Sequence, residues 1–272
     1  MSPTEILTEH SRPTTHDFLS ITEIAGDQVT REQVERIAAR YFWAAEFCKD
    51  KRVLEAACGT GQGLRYLATL SRKAVGGDIM FASLEKAKQF DPAGLTWIQM
   101  DAHELPFADQ TVDTVLLFEA IYYLERPETF VRECRRILRP GGYVLIVTAN
   151  KDLYDFNPSP FSQRYFGPPE LKELFENENF SVKCWASHPI SEVSWRQKIL
   201  RPLKKAAVDF GFIPKTMEGK KLLKKLIFGG LVTMPHEIKP GTAERPQLES
   251  IDPGQPDKRH KVIYCSATLG PM

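Results

Sequence analysis

The chain has 272 residues, of which 42% are hydrophobic and 26% are charged, and its formal net charge is +1. These values are typical of a globular protein and exclude a fibrous or wholly disordered chain. The near-zero net charge gives no overall field that would attract nucleic acid. The five cysteines are scattered without C-x-x-C spacing, which indicates reduced thiols and neither a disulfide framework nor a zinc site.

The start of the chain lacks a basic segment followed by an apolar one, so no signal peptide is predicted. None of the apolar runs approaches the roughly 20 residues that span a bilayer. We therefore expect a cytoplasmic protein. The six histidines are isolated in sequence, without the spacing of a metal-binding motif, so no metal is predicted.

Predicted helices and strands alternate through the first half of the chain. Residues 1–29 are polar and irregular, which indicates a flexible arm, and Thr30 with Gln33 fits a capping box at the start of a helix. Apolar runs predict strands over 53–57, 74–77, 95–100, 114–118 and 143–148. Amphipathic segments between them predict helices over 64–70, 81–89 and 128–138.

The rhythm changes after Thr148, where a loop precedes a predicted helix over 169–177 and strands over 180–185 and 261–269. Strands that alternate with helices form a parallel sheet covered on both faces. We therefore predict an α/β fold with a doubly wound, Rossmann-like sheet of seven strands, mostly parallel with an antiparallel edge strand, plus an insertion near the C-terminus. The predicted units are an arm (1–29), a core (30–188), an insertion or substrate-side cap (189–257) and a final core strand (258–272).

Small and acidic residues follow three predicted strands, at the edge where ligands bind in an open α/β sheet. Residues 53–63 (VLEAACGTGQG) end the first core strand in a glycine loop, which lets the backbone approach a ligand closely. Asp78 ends the next strand, where a carboxylate can accept both hydroxyls of a ribose. Asp101 ends the third strand, where it can accept from an exocyclic amine such as that of adenine.

Together with residues 104–107 and 136–142, this constellation resembles the class I S-adenosylmethionine-dependent methyltransferases, in particular the methyltransferase domain of the ubiquinone/menaquinone-biosynthesis type, over about residues 31–150. The resemblance implies S-adenosylmethionine as cofactor and direct methyl transfer to an oxygen, nitrogen or carbon of a small-molecule acceptor. It implies that the methionine part is held by Tyr41, Glu55, Ala57, Gly59 and Gly61, and the ribose by Asp78 and Ile79. It implies that the adenine is held by Asp101, Ala102 and His103, and that Phe118 and Glu119 line the pocket near the sulfur.

The glycine loop differs from two related patterns. Ala57 stands where this family usually has glycine, and alanine costs little there only if its φ is negative. A nicotinamide dehydrogenase would carry G-x-G-x-x-G, whereas Leu64 follows Gly63 here and the spacing is G-x-G-x-G. Glu55 would also repel a pyrophosphate, but it suits the ammonium of S-adenosylmethionine. The loop therefore favours a methyltransferase over a dehydrogenase.

A general base is needed only if the acceptor must lose a proton during methyl transfer. The candidates by predicted location are His103, Tyr122, Tyr123 and His188. The simpler interpretation of each is packing or surface placement, so no catalytic residue is assigned.

Two segments bear on the acceptor. Residues 154–168 concentrate aromatic side chains after the fifth core strand, which indicates either a lid over a small acceptor or an ordered loop on the core. In residues 196–225, Lys and Arg outnumber Asp and Glu by eight. This excess suits a phosphorylated acceptor in natural-product or glycan biosynthesis, a lipid-linked acceptor at a membrane surface, RNA, or a solvated helix face.

The basic segment lacks the interleaved aromatic residues of a base-stacking platform, which argues against RNA. We therefore expect a small-molecule acceptor and no nucleic-acid partner, and the sequence leaves the oligomeric state open. The alternative to an enzyme is a methyltransferase-like binding protein without turnover.

Overall fold

The computed structural model describes residues 24–91, 94–159, 161–190 and 230–271. The described strands are β1 (Gln28–Thr30), β2 (Arg52–Ala56), β3 (Lys73–Asp78), β4 (Thr96–Gln99), β5 (Val112–Phe118), β6 (Leu138–Ala149), β7 (Phe180–Pro189), β8 (Leu231–Thr233), β9 (Glu249–Ile251) and β10 (His260–Leu269). The described α-helices are α1 (Arg31–Cys48), α2 (Leu64–Ala68), α3 (Phe81–Gln89), α4 (Pro127–Ile137) and α5 (Pro168–Glu176). A single 3₁₀ turn over Ile121–Tyr123 follows β5 in this part of the chain.

The main sheet has eight strands in the order β4-β3-β2-β5-β6-β10-β7-β9. The first five strands in this order, β4, β3, β2, β5 and β6, pair in parallel, whereas β10 pairs antiparallel with both β6 and β7. This confirms the predicted α/β, Rossmann-like fold. The sheet has eight strands where seven were predicted, because β9 adds a strand at the edge, and β9 pairs antiparallel with β7 as an antiparallel edge strand should. The antiparallel strand β10 lies inside the sheet, where its almost fully buried residues are covered on both faces.

Helix α1 begins as the capping box predicts. The Gln33 backbone N–H donates to Thr30 Oγ1 (3.2 Å), and the Thr30 N–H donates to Gln33 Oε1 (3.1 Å). At the other end of the helix, Thr114 Oγ1 at the start of β5 donates to the Phe47 carbonyl (2.8 Å). Helix α1 therefore runs antiparallel to β5, and its first turns lie at the carboxyl ends of the parallel strands.

Two apolar clusters cover the two faces of the sheet. Alternating residues of β5 point to opposite faces, so Leu116 packs in the cluster with α1 and Leu117 in the cluster with α4 and α5. Phe130 in α4 and Phe175 in α5 are fully buried in the second cluster. The sheet is therefore covered by helices on both sides, and its carboxyl edge is left for a site.

A second, two-stranded sheet joins the chain before α1 to the segment after residue 229. Strand β1 pairs antiparallel with β8, and the Met234 N–H donates to the Asp27 carbonyl (2.8 Å). Beyond β8, Arg65 Nη1 donates to the His236 carbonyl (2.8 Å), and the Ile238 N–H donates to the Gln62 carbonyl (2.9 Å). The part of the predicted insertion that follows β8 is thus hydrogen-bonded to the glycine loop and to the start of α2.

The boundaries of the predicted arm, core and insertion stay predictions. Residues 1–23 and 191–229 lie outside the described residues, and with them the basic segment 196–225. Within the described ranges, no helix combines the length and the apolar character that crossing a membrane requires.

Candidate active site

The glycine loop leaves β2 through three residues with positive φ. These residues are Ala57 (55°), Gly59 (54°) and Gly61 (68°). The condition under which alanine costs little at position 57 is therefore not met. A left-handed conformation costs an L-residue roughly 1–2 kcal/mol, so Ala57 holds the loop in a strained turn. Its side chain is exposed at the sheet edge.

Aromatic rings occupy the space that side chains at two of the loop glycines would need. A Cβ at Gly61 would lie 2.2 Å from the Trp97 ring, and a Cβ at Gly63 would lie 2.1 Å from the Tyr41 ring. Trp97 is held in place because its Nε1 donates to Asp91 Oδ2 (2.9 Å). Both glycines are therefore required by packing, and Gly61 is also required by its positive φ.

Glu55 lies beneath this loop with only 1% of its surface exposed. Burial raises the pKa of its carboxyl to about 8, although the Tyr41 hydroxyl and the nearby Arg40 charge oppose the rise. Tyr41 Oη donates to Glu55 Oε1 at 2.6 Å, while Oε2 is buried without a hydrogen-bond partner among the described residues. A buried carboxylate with one oxygen unused fits a cationic ligand such as an ammonium group.

Asp78 ties the end of β3 to the glycine loop. The Gly59 N–H donates to its Oδ2 and the Met80 N–H donates to its Oδ1, both at 2.8 Å. Burial raises the pKa of this carboxyl despite these two bonds. Each carboxylate oxygen retains a further lone pair for a ligand hydroxyl. Ile79 follows directly and is exposed, so it offers an apolar surface beside the carboxylate.

Asp101 and His103 form a local pair after β4. Asp101 Oδ1 accepts from the His103 backbone N–H (2.8 Å) and lies 2.6 Å from His103 Nδ1. Partial burial would raise the pKa of Asp101, but the bonds from His103 outweigh it and lower the pKa. His103 Nε2 accepts from the Arg126 N–H (3.3 Å), so both ring nitrogens are engaged. Ala102 lies half-buried between the two.

Phe118 and Glu119 connect this pocket to the outer strands of the sheet. The Phe118 ring meets the Tyr41 ring edge to face, with centroids 5.5 Å apart. Glu119 has a positive φ of 50°, and its backbone N–H donates to the Val147 carbonyl (2.7 Å). The Ala149 N–H donates to its Oε2 (3.2 Å), so β5 and β6 both fix this carboxylate at their carboxyl ends.

Two arginines of α1 also hold Glu119. Arg36 Nη2 and Arg40 Nη2 each lie 3.5 Å from its Oε1. The sequence prediction missed both residues. The only signal for them is their spacing of four residues on one side of a helix whose opposite side is apolar.

The predicted base candidates Tyr122 and Tyr123 belong to an aromatic cluster with the loop after β6. Tyr122 stacks on Tyr165 (centroids 4.3 Å apart), and Tyr123 Oη lies 2.7 Å from Ser159 Oγ. Tyr122 Oη donates to Glu119 Oε2 (3.1 Å). Burial, and then the Glu119 charge, raises the pKa of Tyr122 well above its usual value. The structure thus places Tyr122 as a hydrogen-bond donor to Glu119, and its role in catalysis stays a prediction.

His188 lies at the carboxyl end of β7, on the same side as Glu119. Its Nδ1 is 2.8 Å from Ser187 Oγ, and its φ is 59°. Burial, and then the Arg36 charge, lowers the pKa of His188 to about 4. The imidazole is therefore neutral at physiological pH and only weakly basic. Within the described ranges, no cluster of three or more His, Cys, Asp or Glu residues could hold a metal ion.

The fold and this edge define a class of protein. A doubly wound sheet with a glycine loop after its first core strand, and acids after the next two strands, is the arrangement that the class I methyltransferase resemblance predicted. The family described as "Methyltransferase domain" matches residues 54–146. Residues 54–146 are thus similar to the class I S-adenosylmethionine-dependent methyltransferases, a family whose cofactor is S-adenosylmethionine.

Two of the curated relatives come from Mycolicibacterium smegmatis. A "Probable S-adenosylmethionine-dependent methyltransferase" is 35% identical over 143 residues, which cover 51% of this chain and 55% of the relative. A "Fatty-acid O-methyltransferase" is 41% identical over 136 residues, or 48% of each protein. The chain thus spans about half the length of the curated relatives it matches.

A solved structure supports the fold over a longer stretch. The S-adenosylmethionine-dependent methyltransferase from Thermotoga maritima aligns with a TM-score of 0.55 and 17% identity. The alignment covers 87% of this chain and 91% of that protein. At this identity the likeness concerns the fold alone.

Proposed function

We propose that the protein transfers the methyl group of S-adenosylmethionine to a small organic acceptor at the carboxyl edge of β5, β6 and β7. The observation that carries the proposal is the continuity of this edge. Phe118 contacts the Tyr41–Glu55 pair on one side, and the adjoining Glu119 contacts Tyr122 on the other. A cofactor at the glycine loop would therefore have its reactive end beside the aromatic cluster.

The cofactor side of the proposal assigns one task to each contact. Glu55 Oε2, which has no other described partner, would accept from the cofactor ammonium. Asp78 would accept from the ribose hydroxyls, with Ile79 against the nucleoside. Asp101 is exposed and held in place by His103, so it would accept from the adenine amine.

The chemistry asks little of the protein beyond alignment. The sulfonium supplies an already activated methyl group, so the acceptor and the methyl must be held in line and water kept out. The aromatic cluster can serve both purposes because Tyr122 is buried and stacked on Tyr165. The neighbouring loop also exposes Tyr154 and Phe161, which favours an acceptor with an apolar body. The relative named as a fatty-acid O-methyltransferase agrees with such an acceptor.

Calorimetry with S-adenosylmethionine and its demethylated product tests the cofactor site. We expect both to bind the wild-type protein and to bind the Glu55→Gln variant at least tenfold more weakly. Glu35→Gln is the matched control, because Glu35 is an exposed acid of α1 that pairs only weakly with Arg31. Failure of both ligands to bind the wild type would refute the pocket. Binding without methyl transfer to any acceptor would instead support a methyltransferase-like binding protein.

A further inference from the structure

The carboxyl edge of β5, β6 and β7, where the acceptor is proposed to bind, holds an arginine that is only weakly paired. Arg36 is 26% exposed at its side chain, and its contact with Glu119 is long, at 3.5 Å. Its Nε is buried without a hydrogen-bond partner among the described residues. A buried guanidinium donor without an acceptor is unfavourable unless a ligand supplies one.

Arg36 is surrounded by other charged groups. Among the described residues, the ionised groups that face it are Arg40, Lys261, Glu32 and Glu119. Lys261 Nζ pairs with Glu32 Oε1 at 2.6 Å, and Glu119 is shared between the two arginines. His188, also nearby, is neutral because burial and the Arg36 charge lower its pKa to about 4. Among the described residues, Arg36 therefore has no carboxylate of its own and shares Glu119 with Arg40, which leaves its guanidinium able to bind an anionic ligand.

Arg36 lies on the acceptor side of α1. Tyr41, which marks the methionine end of the proposed cofactor site, comes five residues later, or roughly 7.5 Å along the helix axis. Arg36 instead faces Glu119 and the end of β7, where His188 lies. The exposed aromatic residues Tyr154 and Phe161 belong to the loop packed on the same edge.

The described groups at this edge are poor general bases. Tyr122 keeps its proton because its pKa is raised, and His188 is only weakly basic. Glu119 accepts hydrogen bonds at both of its carboxylate oxygens. An alcohol or an ammonium acceptor would have to lose a proton to such a base, whereas a carboxylate would not.

Resting on the proposed function, we propose that the acceptor is a carboxylic acid with an apolar body, which Arg36 anchors by its carboxylate. One oxygen accepts from the guanidinium, and the other forms the bond to the methyl carbon. The carbon–sulfur bond breaks and its electron pair stays on sulfur. The products are a methyl ester and the neutral thioether, and no proton is released.

The test uses dodecanoate as acceptor with isotopically labelled S-adenosylmethionine, and dodecanol and dodecylamine as matched acceptors. We expect label from dodecanoate only, in a product that releases labelled methanol on mild alkaline hydrolysis. Arg36→Gln should raise the KM for dodecanoate about tenfold or more and leave the Kd of the demethylated product within twofold. Arg36→Lys should recover part of the loss. Arg31→Gln is the control, since Arg31 is on the same helix and 75% exposed.

Each other result would overturn the inference. Alkali-stable label from dodecanol or dodecylamine would identify a different nucleophile. Binding of the demethylated product without any methyl ester from dodecanoate would reject the acid acceptor and leave the proposed cofactor site intact. If Arg36→Gln weakened the demethylated product instead of dodecanoate, Arg36 would belong to the methionine carboxylate of the cofactor. Failure of the wild type to bind the demethylated product would refute the proposed function itself.

Discussion

The two halves of the carboxyl edge are built in different ways. Beside β3 and β4, each acid accepts a hydrogen bond from the backbone N–H two residues later, from Met80 for Asp78 and from His103 for Asp101. Beside β5, β6 and β7, the contacts join side chains far apart in sequence, such as Arg36 with Glu119. The half proposed to bind the cofactor therefore contains local turns, whereas the half proposed to bind the acceptor depends on contacts that form only once the chain has folded.

The largest effect is expected in the cofactor half, at Gly61. Gly61→Ala adds a Cβ 2.2 Å from the Trp97 ring at a φ of 68°, so the free energy of unfolding should fall by roughly 2–5 kcal/mol. Gly141→Ala is the control, because its φ is 75° but nothing lies within 4 Å of the new Cβ. It should cost only about 1–2 kcal/mol in urea denaturation. Equal losses would show that Trp97 moves aside freely.

The next effect concerns Glu55, whose raised pKa of about 8 keeps most of it protonated at pH 7. The cofactor ammonium favours the ionised carboxylate, so binding should release close to one proton near pH 7. Affinity should then rise with pH and level off above pH 8. Calorimetry in buffers of different ionisation enthalpy measures the proton release. Glu55→Gln should abolish it, and persistent release in that variant would assign the proton to another group.

The Glu55 carboxyl also determines how the stability of the ligand-free protein changes with pH. Its pKa is raised on folding, so the folded chain keeps a proton that the unfolded chain has lost, and stability falls as pH rises toward 8. His188 has the opposite sign below pH 6.5, because its pKa is lowered on folding. The free energy of unfolding should therefore fall by about 2 kcal/mol between pH 6.5 and 8. In the Glu55→Gln variant, this pH dependence should be much weaker.

A smaller effect is expected in the acceptor half, at Tyr122. Tyr122→Phe removes the hydroxyl that donates to Glu119, so kcat/KM for the acceptor should fall about tenfold, which corresponds to roughly 1.4 kcal/mol. The Kd of the demethylated cofactor should not change. Tyr123→Phe is the control, since its hydroxyl lies against Ser159 instead. A loss of cofactor affinity in Tyr122→Phe would mean that the two halves are not separable.

The smallest expected effect is a gain at Ala57. Ala57→Gly removes the strain of the left-handed conformation, but glycine also raises the conformational entropy of the unfolded chain. The first effect is the larger, so the free energy of unfolding should rise by about 0.5 kcal/mol. Ala45→Gly, inside α1, should instead lower stability by roughly 1 kcal/mol. Equal losses in both variants, measured by thermal unfolding, would contradict a strained turn at Ala57.

The same contrast explains what the sequence could predict. The capping box at Thr30 and the strand ends at Asp78 and Asp101 depend on neighbouring residues, so their patterns are readable locally. Strands β8 and β9 have three residues each, too few to show a period of two. The pairing of Arg36 with Glu119 spans 83 positions, and a basic residue in a helix otherwise indicates a solvent-facing side.

Helix α1 has a consequence for how acceptor preference could be redesigned. In the proposed function, Tyr41 in its middle lies on the donor side, while Glu32 and Arg36 occupy the first turns on the acceptor side. If the two sides are separate as proposed, substitutions within those turns would exchange one acceptor for another without disturbing donor recognition. Libraries limited to residues 32 and 36 are therefore a compact place to begin directed evolution of acceptor preference.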